Sequence, residues 1–250
     1  MATPRNNSIV KGFDILALIT PERAEISART VVAELDMNLA TAHRLLTTLA
    51  AVGALVSYRR GIYCLGPRIE ELGRVEQETN PLSEVVRPII ASASHDLSEA
   101  VMASRLTRGG PICMAVARSN RPISVEIKVG TIFLLHCSAQ GKLWLASLSR
   151  PERDARLGIY RLTEMSSRTI VDRDAFEAEL ERIRDQGFAL NRGENEPDIG
   201  AVAVPVMSED NEIILTLSVF GLLSRFDERF IELAVQRLGR AAHEVRKRRL

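Results

Sequence analysis

Over residues 8–66 the apolar positions keep first a helical period and then an alternating one. Ser8 can cap a first helix, whose apolar residues Ile15, Leu16, Leu18 and Ile19 precede a break at Thr20-Pro21-Glu22. Ser27 can cap a short second helix that ends near Leu35, and Asp36-Met37-Asn38 form a tight connection. Asn38 is the natural N-cap of a third helix, in which Ala42, Leu45, Leu46 and Leu49 recur at i, i+3, i+4 and i+7. Gly53 stops that helix. Two strand-like runs, 55–58 and 62–65, then flank Arg59-Arg60-Gly61, which reads as a hairpin turn. This order of elements predicts a winged helix-turn-helix domain over residues 1–66.

Residues 67–80 are rich in charge (Arg68, Glu70, Glu71, Arg74, Glu76, Glu78) and read as a linker helix. Pro81 opens a second module, 81–250. It begins with a helix to about Leu97, followed by strands near 101–107, 111–118 and 123–129. The third of these alternates, with Ile123, Val125, Ile127 and Val129 on one face. Gly109-Gly110-Pro111 and Asn120-Arg121-Pro122 supply turns. Helices near 141–148 and 173–186, strands near 201–207 and 213–220, and an amphipathic helix from about Asp227 complete it. The predicted class is α+β, with a sensor-type second domain.

Composition adds exclusions. Of 250 residues, 46% are hydrophobic and 26% charged, ordinary for a globular fold. No apolar run approaches a membrane span and the N-terminus lacks a secretory core, so the expected location is cytoplasmic, with no membrane partner. Cys64, Cys113 and Cys137 are scattered, and His43, His95, His136 and His243 form no ligand pair. Neither a metal nor another cofactor is expected. The net charge of +1 does not by itself point to nucleic acid, and residues 1–66 carry seven Lys/Arg against five acids. Any DNA contact must therefore rest on where the cations sit.

On the third helix Thr41, His43, Arg44, Thr47 and Thr48 point away from the apolar stripe. Arg44 can bind guanine or phosphate, and the threonines can donate to phosphate or touch a thymine methyl. Ser27 and Arg29 at the start of the second helix, and Arg59 and Arg60 at the hairpin tip, complete the candidate DNA-facing set. The pattern alone leaves open a solvated helix with a soluble turn, or a protein-interaction module.

Thr41-Ala42-His43-Arg44-Leu45-Leu46-Thr47-Thr48-Leu49 resembles the recognition helix of the IclR family of transcription regulators, and Tyr63-Cys64-Leu65-Gly66-Pro67-Arg68 resembles that family's wing exit. Ser138-Ala139-Gln140-Gly141-Lys142, Thr163, Arg168-Thr169-Ile170, Glu181-Arg182-Ile183-Arg184, Gly187-Phe188-Ala189 and Ala203-Val204-Pro205-Val206 follow in the family's order. The resemblance implies a regulator that binds a near-palindromic operator in double-stranded DNA as a homodimer or tetramer, with a GAF-like effector-binding domain. One departure is Asn38-Leu39-Ala40, where the family commonly has Pro-Lys-Ser. The missing lysine and hydroxyl should weaken nonspecific affinity and flatten its salt dependence.

The residues around 134–142 run from an apolar stretch into a helix start, whose free N–H groups suit a carboxylate. The resemblance places a small organic acid at Ala139, Gln140 and Gly141, with Asn191, Ile199, Ala201, Ser218 and Phe220 around it. Phe220 stands where the family often has Ser. Its ring either adapts the pocket to an aromatic acid or fills it, and ordinary strand alternation would also account for Ser218 and Phe220. His136, Cys137 and Ser138 are adjacent, which is the wrong geometry for a catalytic group, so no enzyme is expected. Lys142 reads as solvated or structural, and the Arg246-Lys247-Arg248-Arg249 run as a solvated helix end.

Overall fold

The computed structural model describes residues 6–20, 23–79, 81–107, 109–157 and 162–249. The chain divides into two compact units, Met1–Asn80 and Pro81–Leu250.

In the first unit, helices α1 (Asn7–Leu16), α2 (Ala28–Leu35) and α3 (Leu39–Ala51) pack around Ile15, Val31, Ala42 and Leu46, none of which is exposed. The cap of α1 is Asn6 rather than Ser8. The Asn6 carboxamide oxygen accepts from the amides of Ser8 and Ile9, which puts Ser8 inside the helix. That helix ends at Leu16, before Leu18 and Ile19, and Pro21 and Glu22 of the expected break lie outside the described residues. Ser27 does cap α2, in a reciprocal box with Thr30. Asn38 caps α3 through the Thr41 amide at 2.8 Å. Between the two helices Asp36 takes the left-handed conformation (φ 45°) and Met37 turns inward.

Strands β2 (Leu55–Arg59) and β3 (Ile62–Leu65) form the wing. Arg59 pairs with Ile62, so the turn is Arg60-Gly61 alone, with Gly61 at φ 76°. A two-residue strand β1 (Ile26–Ser27) adds to the outer side of β3, through Ile26 with Tyr63 and Ser27 with Ile62. Helix α4 (Pro67–Thr79) follows at once. The Gly66 amide donates to Ala54, the Arg68 amide donates to Gly53, and a Cβ on Gly66 would stand 2.2 Å from the Gly53 carbonyl oxygen.

The second unit is a five-stranded antiparallel sheet in the order β5-β4-β8-β7-β6, built from β4 (Ala100–Thr107), β5 (Gly110–Ala117), β6 (Ala189–Arg192), β7 (Ile199–Met207) and β8 (Ile213–Leu222). Helices α5 (Pro81–Leu97) and α9 (Glu228–Arg249) cover one face, over Val101, Ala103, Val202, Val204, Leu217 and Val219. The opposite face, with Ala100, Met102, Ala201, Ala203 and Phe220, packs against α6 (Ala139–Ser147) and α8 (Arg173–Gln186). Burial on both faces makes β7 and β8 nearly continuous apolar runs. A short helix α7 (Arg150–Leu157) is anchored by Arg153, whose guanidinium meets Glu177 at 2.6 Å.

The alternating run 123–129 is not a strand. Only Val125 and Ile127 pack on the core, whereas Ile123 and Val129 are exposed. The outer edge of β5, away from β4, is bonded instead by 131–133: the Cys113 amide donates to the Thr131 carbonyl and the Phe133 amide to the Pro111 carbonyl. Among the described residues no helix is long and apolar enough to cross a membrane.

Candidate functional site

Helix α3 is set by its buried side. Ala42 and Leu46 are fully buried, and Leu45 and Leu49 are partly buried against the same core. His43, Arg44, Thr47 and Thr48 consequently face solvent together, while Thr41 is half-buried. The Thr48 hydroxyl donates to the Arg44 carbonyl at 2.8 Å, but the Arg44 guanidinium has no partner among the described residues. Arg29 and Arg60 are likewise exposed and unpaired there. Two members of the expected set are already engaged. The Ser27 hydroxyl caps α2, and Arg59 is held by Glu25 at 2.6 Å. That ion pair is exposed and exchangeable. Leu39 is half-exposed and Ala40 exposed, so the start of α3 presents carbon where a cation was expected to be missing.

In the second unit the strand register gathers four of the expected effector residues on the face that packs against α6. Asn191, Ala201, Phe220 and Ala100 form one row across β6, β7, β8 and β4, and Ala203, Ser218 and Met102 form the next. Ile199 lies at the end of β7 beyond Ala201. Ser218 is fully buried and its hydroxyl has no partner among the described residues, whereas Phe220 is packed in the core. The Asn191 carboxamide oxygen accepts from the Glu194 amide at 2.8 Å. Ala139, Gln140 and Gly141 open α6, capped by Ser138, whose oxygen accepts from the Gly141 amide. A Cβ on Gly141 would stand 2.5 Å from the Leu135 carbonyl oxygen, so the close approach made there is by the chain's own backbone. The Ala139 and Gln140 amides keep no partner among the described residues.

His136, Cys137 and Ser138 diverge. The His136 ring bonds the Thr163 carbonyl, the Cys137 thiol reaches the Asn195 carboxamide, and the Ser138 hydroxyl donates to Leu134. Burial, with the neighbouring Glu194 carboxylate adding to it, pushes the Cys137 thiol up to about 12. Lys142 is structural and not solvated. It is fully buried, with Nζ 2.6 Å from Glu194 and 3.1 Å from Glu179. Burial also holds the Glu194 carboxyl above the usual carboxylate range, against the pull of Lys142. This buried charge cluster escaped sequence reading, since Lys142 stands 37 and 52 residues from its two partners. Among the described residues no His, Cys, Asp and Glu cluster could hold a metal.

A helix-turn-helix with a hairpin wing, followed by a separate α+β domain whose buried sheet face carries Asn191 and Ser218, is the architecture of a DNA-binding transcription regulator with a sensing domain. The IclR helix-turn-helix domain matches residues 8–57, and the C-terminal domain of bacterial IclR transcriptional regulators matches residues 77–247. The chain belongs to the IclR family. It is 30% identical over 227 residues to an HTH-type transcriptional regulator of Mycobacterium tuberculosis, covering 90% of this chain and 86% of that one. The crystal structure of an IclR family regulator from Brucella abortus superposes with a TM-score of 0.78 at 21% identity, over 98% of this chain and 93% of the other. An IclR homologue from Microbacterium hydrocarbonoxydans, solved with 4-hydroxybenzoate, superposes with a TM-score of 0.65 at 22% identity, over 96% and 98%. Family members are non-enzymatic transcription factors. The choice between regulator and interaction module is thereby resolved: the chain is a DNA-binding regulator with an effector-binding domain.

Proposed function

We propose that this regulator binds a near-palindromic operator as a homodimer, with a tetramer as its larger assembly, and responds in the cytoplasm to a small organic acid, foremost an aromatic one. The observation that carries the reading is the outer face of α3, where His43, Arg44, Thr47 and Thr48 are exposed and the guanidinium has no partner among the described residues. One such helix reads only a few base pairs, and a twofold pair doubles the site. Arg29, Thr41 and Arg60, with Ser27 and Arg59 once released from their present partners, fix register through phosphates. Dimerisation is supported by an apolar groove of about 490 Å³ lined in part by Ile9, Phe13, Val52 and Leu72.

The effector reading rests on the Ala139 and Gln140 amides for a carboxylate, and on the Ser218 hydroxyl and the Phe220 ring for the body of the ligand; neither the amides nor the hydroxyl has a partner among the described residues. The homologue that carries 4-hydroxybenzoate favours the aromatic class. Selection from a randomised duplex pool, followed by fluorescence anisotropy, tests the operator. Arg44→Ala is expected to lose about 1–3 kcal/mol of specific binding, whereas no enrichment of any sequence would refute the reading. Thermal shift with aromatic and aliphatic acids tests the effector, since a ligand of the native state raises the melting temperature.

A further inference from the structure

The outer face of α3 is polar over most of its length, but its first turn is not. Asn38 is bent back onto the helix as its cap, the carboxamide oxygen accepting from the Thr41 amide at 2.8 Å, and Thr41 is half-buried. The side chains that this turn projects into solvent are Leu39, 52% exposed, and Ala40. At i, i+4 spacing Ala40 lines up with Arg44 and Leu39 with His43, so the apolar pair continues the surface made by the exposed residues that follow.

A single exposed leucine is ordinary on a protein surface and asks for no partner. The place of this one sets it apart. Among the described residues Leu39 is not packed on the core of the first unit, which takes Leu45 and Leu49 from the same helix. Nor does it line the apolar groove, to which α3 and its C-cap contribute Leu45, Thr48, Leu49 and Val52 on another side of the helix. Neither the fold nor the proposed dimer accounts for it. In a helix-turn-helix, however, the first residues of the recognition helix are those that meet base edges in the major groove. There guanine, adenine and cytosine present hydrogen-bonding groups, and thymine adds a carbon, its C5 methyl. A leucine set against a donor or acceptor removes its water and returns no hydrogen bond. Set against the methyl, it takes apolar surface out of water on both sides.

We propose that Leu39, with Ala40 beside it, is a specificity-determining residue that reads the C5 methyl group of a thymine in each operator half-site, next to the contact made by Arg44. The discrimination works in both directions: the methyl is rewarded by burial, and any other base edge at that position is penalised by lost hydration. The inference rests on α3 being the helix that enters the groove.

The test uses the full chain and a duplex selected from a randomised pool, in which each thymine of one half-site is replaced in turn by deoxyuridine. That replacement removes the methyl and leaves every hydrogen-bonding group in place. Fluorescence anisotropy is expected to find a position at which it weakens the wild type about fourfold, the equilibrium equivalent of one buried methyl group. Leu39→Ala, at an exposed position outside the core, should keep the wild-type melting temperature and bind the thymine duplex more weakly. It should no longer distinguish thymine from deoxyuridine at that position. Arg44→Ala should bind more weakly overall and still distinguish them. Leu39→Lys should lose the distinction while its affinity for all duplexes falls more steeply with salt. Absence of any methyl-dependent position in the wild type, or a full methyl preference retained by Leu39→Ala or Leu39→Lys, overturns the proposal and leaves α3 as the reading helix. Arg44→Ala binding as tightly as the wild type overturns it in another way, by removing α3 from the groove altogether.

Discussion

Lys142 carries the largest single consequence of burial in the second unit. Removing its ammonium strands the Glu194 carboxylate in a poorly solvated place, while Glu179 keeps Arg182, and Lys142→Met is expected to cost about 3–5 kcal/mol in urea unfolding. Adding Glu194→Leu should recover much of that loss, because a well-packed apolar pair needs no compensating charge. The cysteines give a second expectation. Burial raises the Cys113 thiol to about 11 and the Cys137 thiol to about 12, above the ordinary 9.0. A folded value above the unfolded one stabilises the fold fully below about pH 9, and that contribution is lost as pH rises through 11–12. The stability difference between wild type and Cys137→Ala should therefore shrink over that window. At pH 8 a disulfide reagent should label half-buried Cys64 well before either buried thiol. The exposed residues of α3 were legible in sequence because a helical stripe fixes its own opposite face. Lys142 was not, because nothing in a helix-start lysine reveals two glutamates brought up by the fold.

At the level of elements, caps and periodic helices were readable and very short strands were not. Ile26–Ser27 and Ala189–Arg192 are too brief for any alternation to register. The run 123–129 erred the other way: alternation reports which side chains face inward, and it does not supply a hydrogen-bonded neighbour. That stretch is tied by side chains, with Arg225 donating to the Ile123 carbonyl and Arg118 meeting Glu126. The contact of Gly66 with Gly53 could not be read from sequence either, since it arises only when the wing returns to the end of α3. Gly66→Ala must push that carbonyl aside and should destabilise the first unit by about 3 kcal/mol, the upper end of ordinary overpacking. Hydrogen exchange at residues 53–68 would report it, with the sheet of the second unit unaffected.

On the scale of the whole molecule, the dimer proposed above would couple association to DNA binding through the first unit. Phe13 is 68% exposed and Leu72 is 53% exposed, in a groove lined mainly by carbon. Apolar surface left in this way is characteristic of an interface. Phe13→Glu is expected to shift the protein towards monomer in sedimentation and to weaken operator binding, while the helical content stays unchanged. The bonds from Gly66 and Arg68 back to Ala54 and Gly53 have a mechanical meaning here. They bolt the first turn of α4 to the end of α3, with no room for a side chain between the two segments. The segment that closes α3 and the first turn of α4 are therefore joined backbone to backbone. Under the function proposed above, a rotation of α4 would be expected to reach the outer face of α3 through that joint.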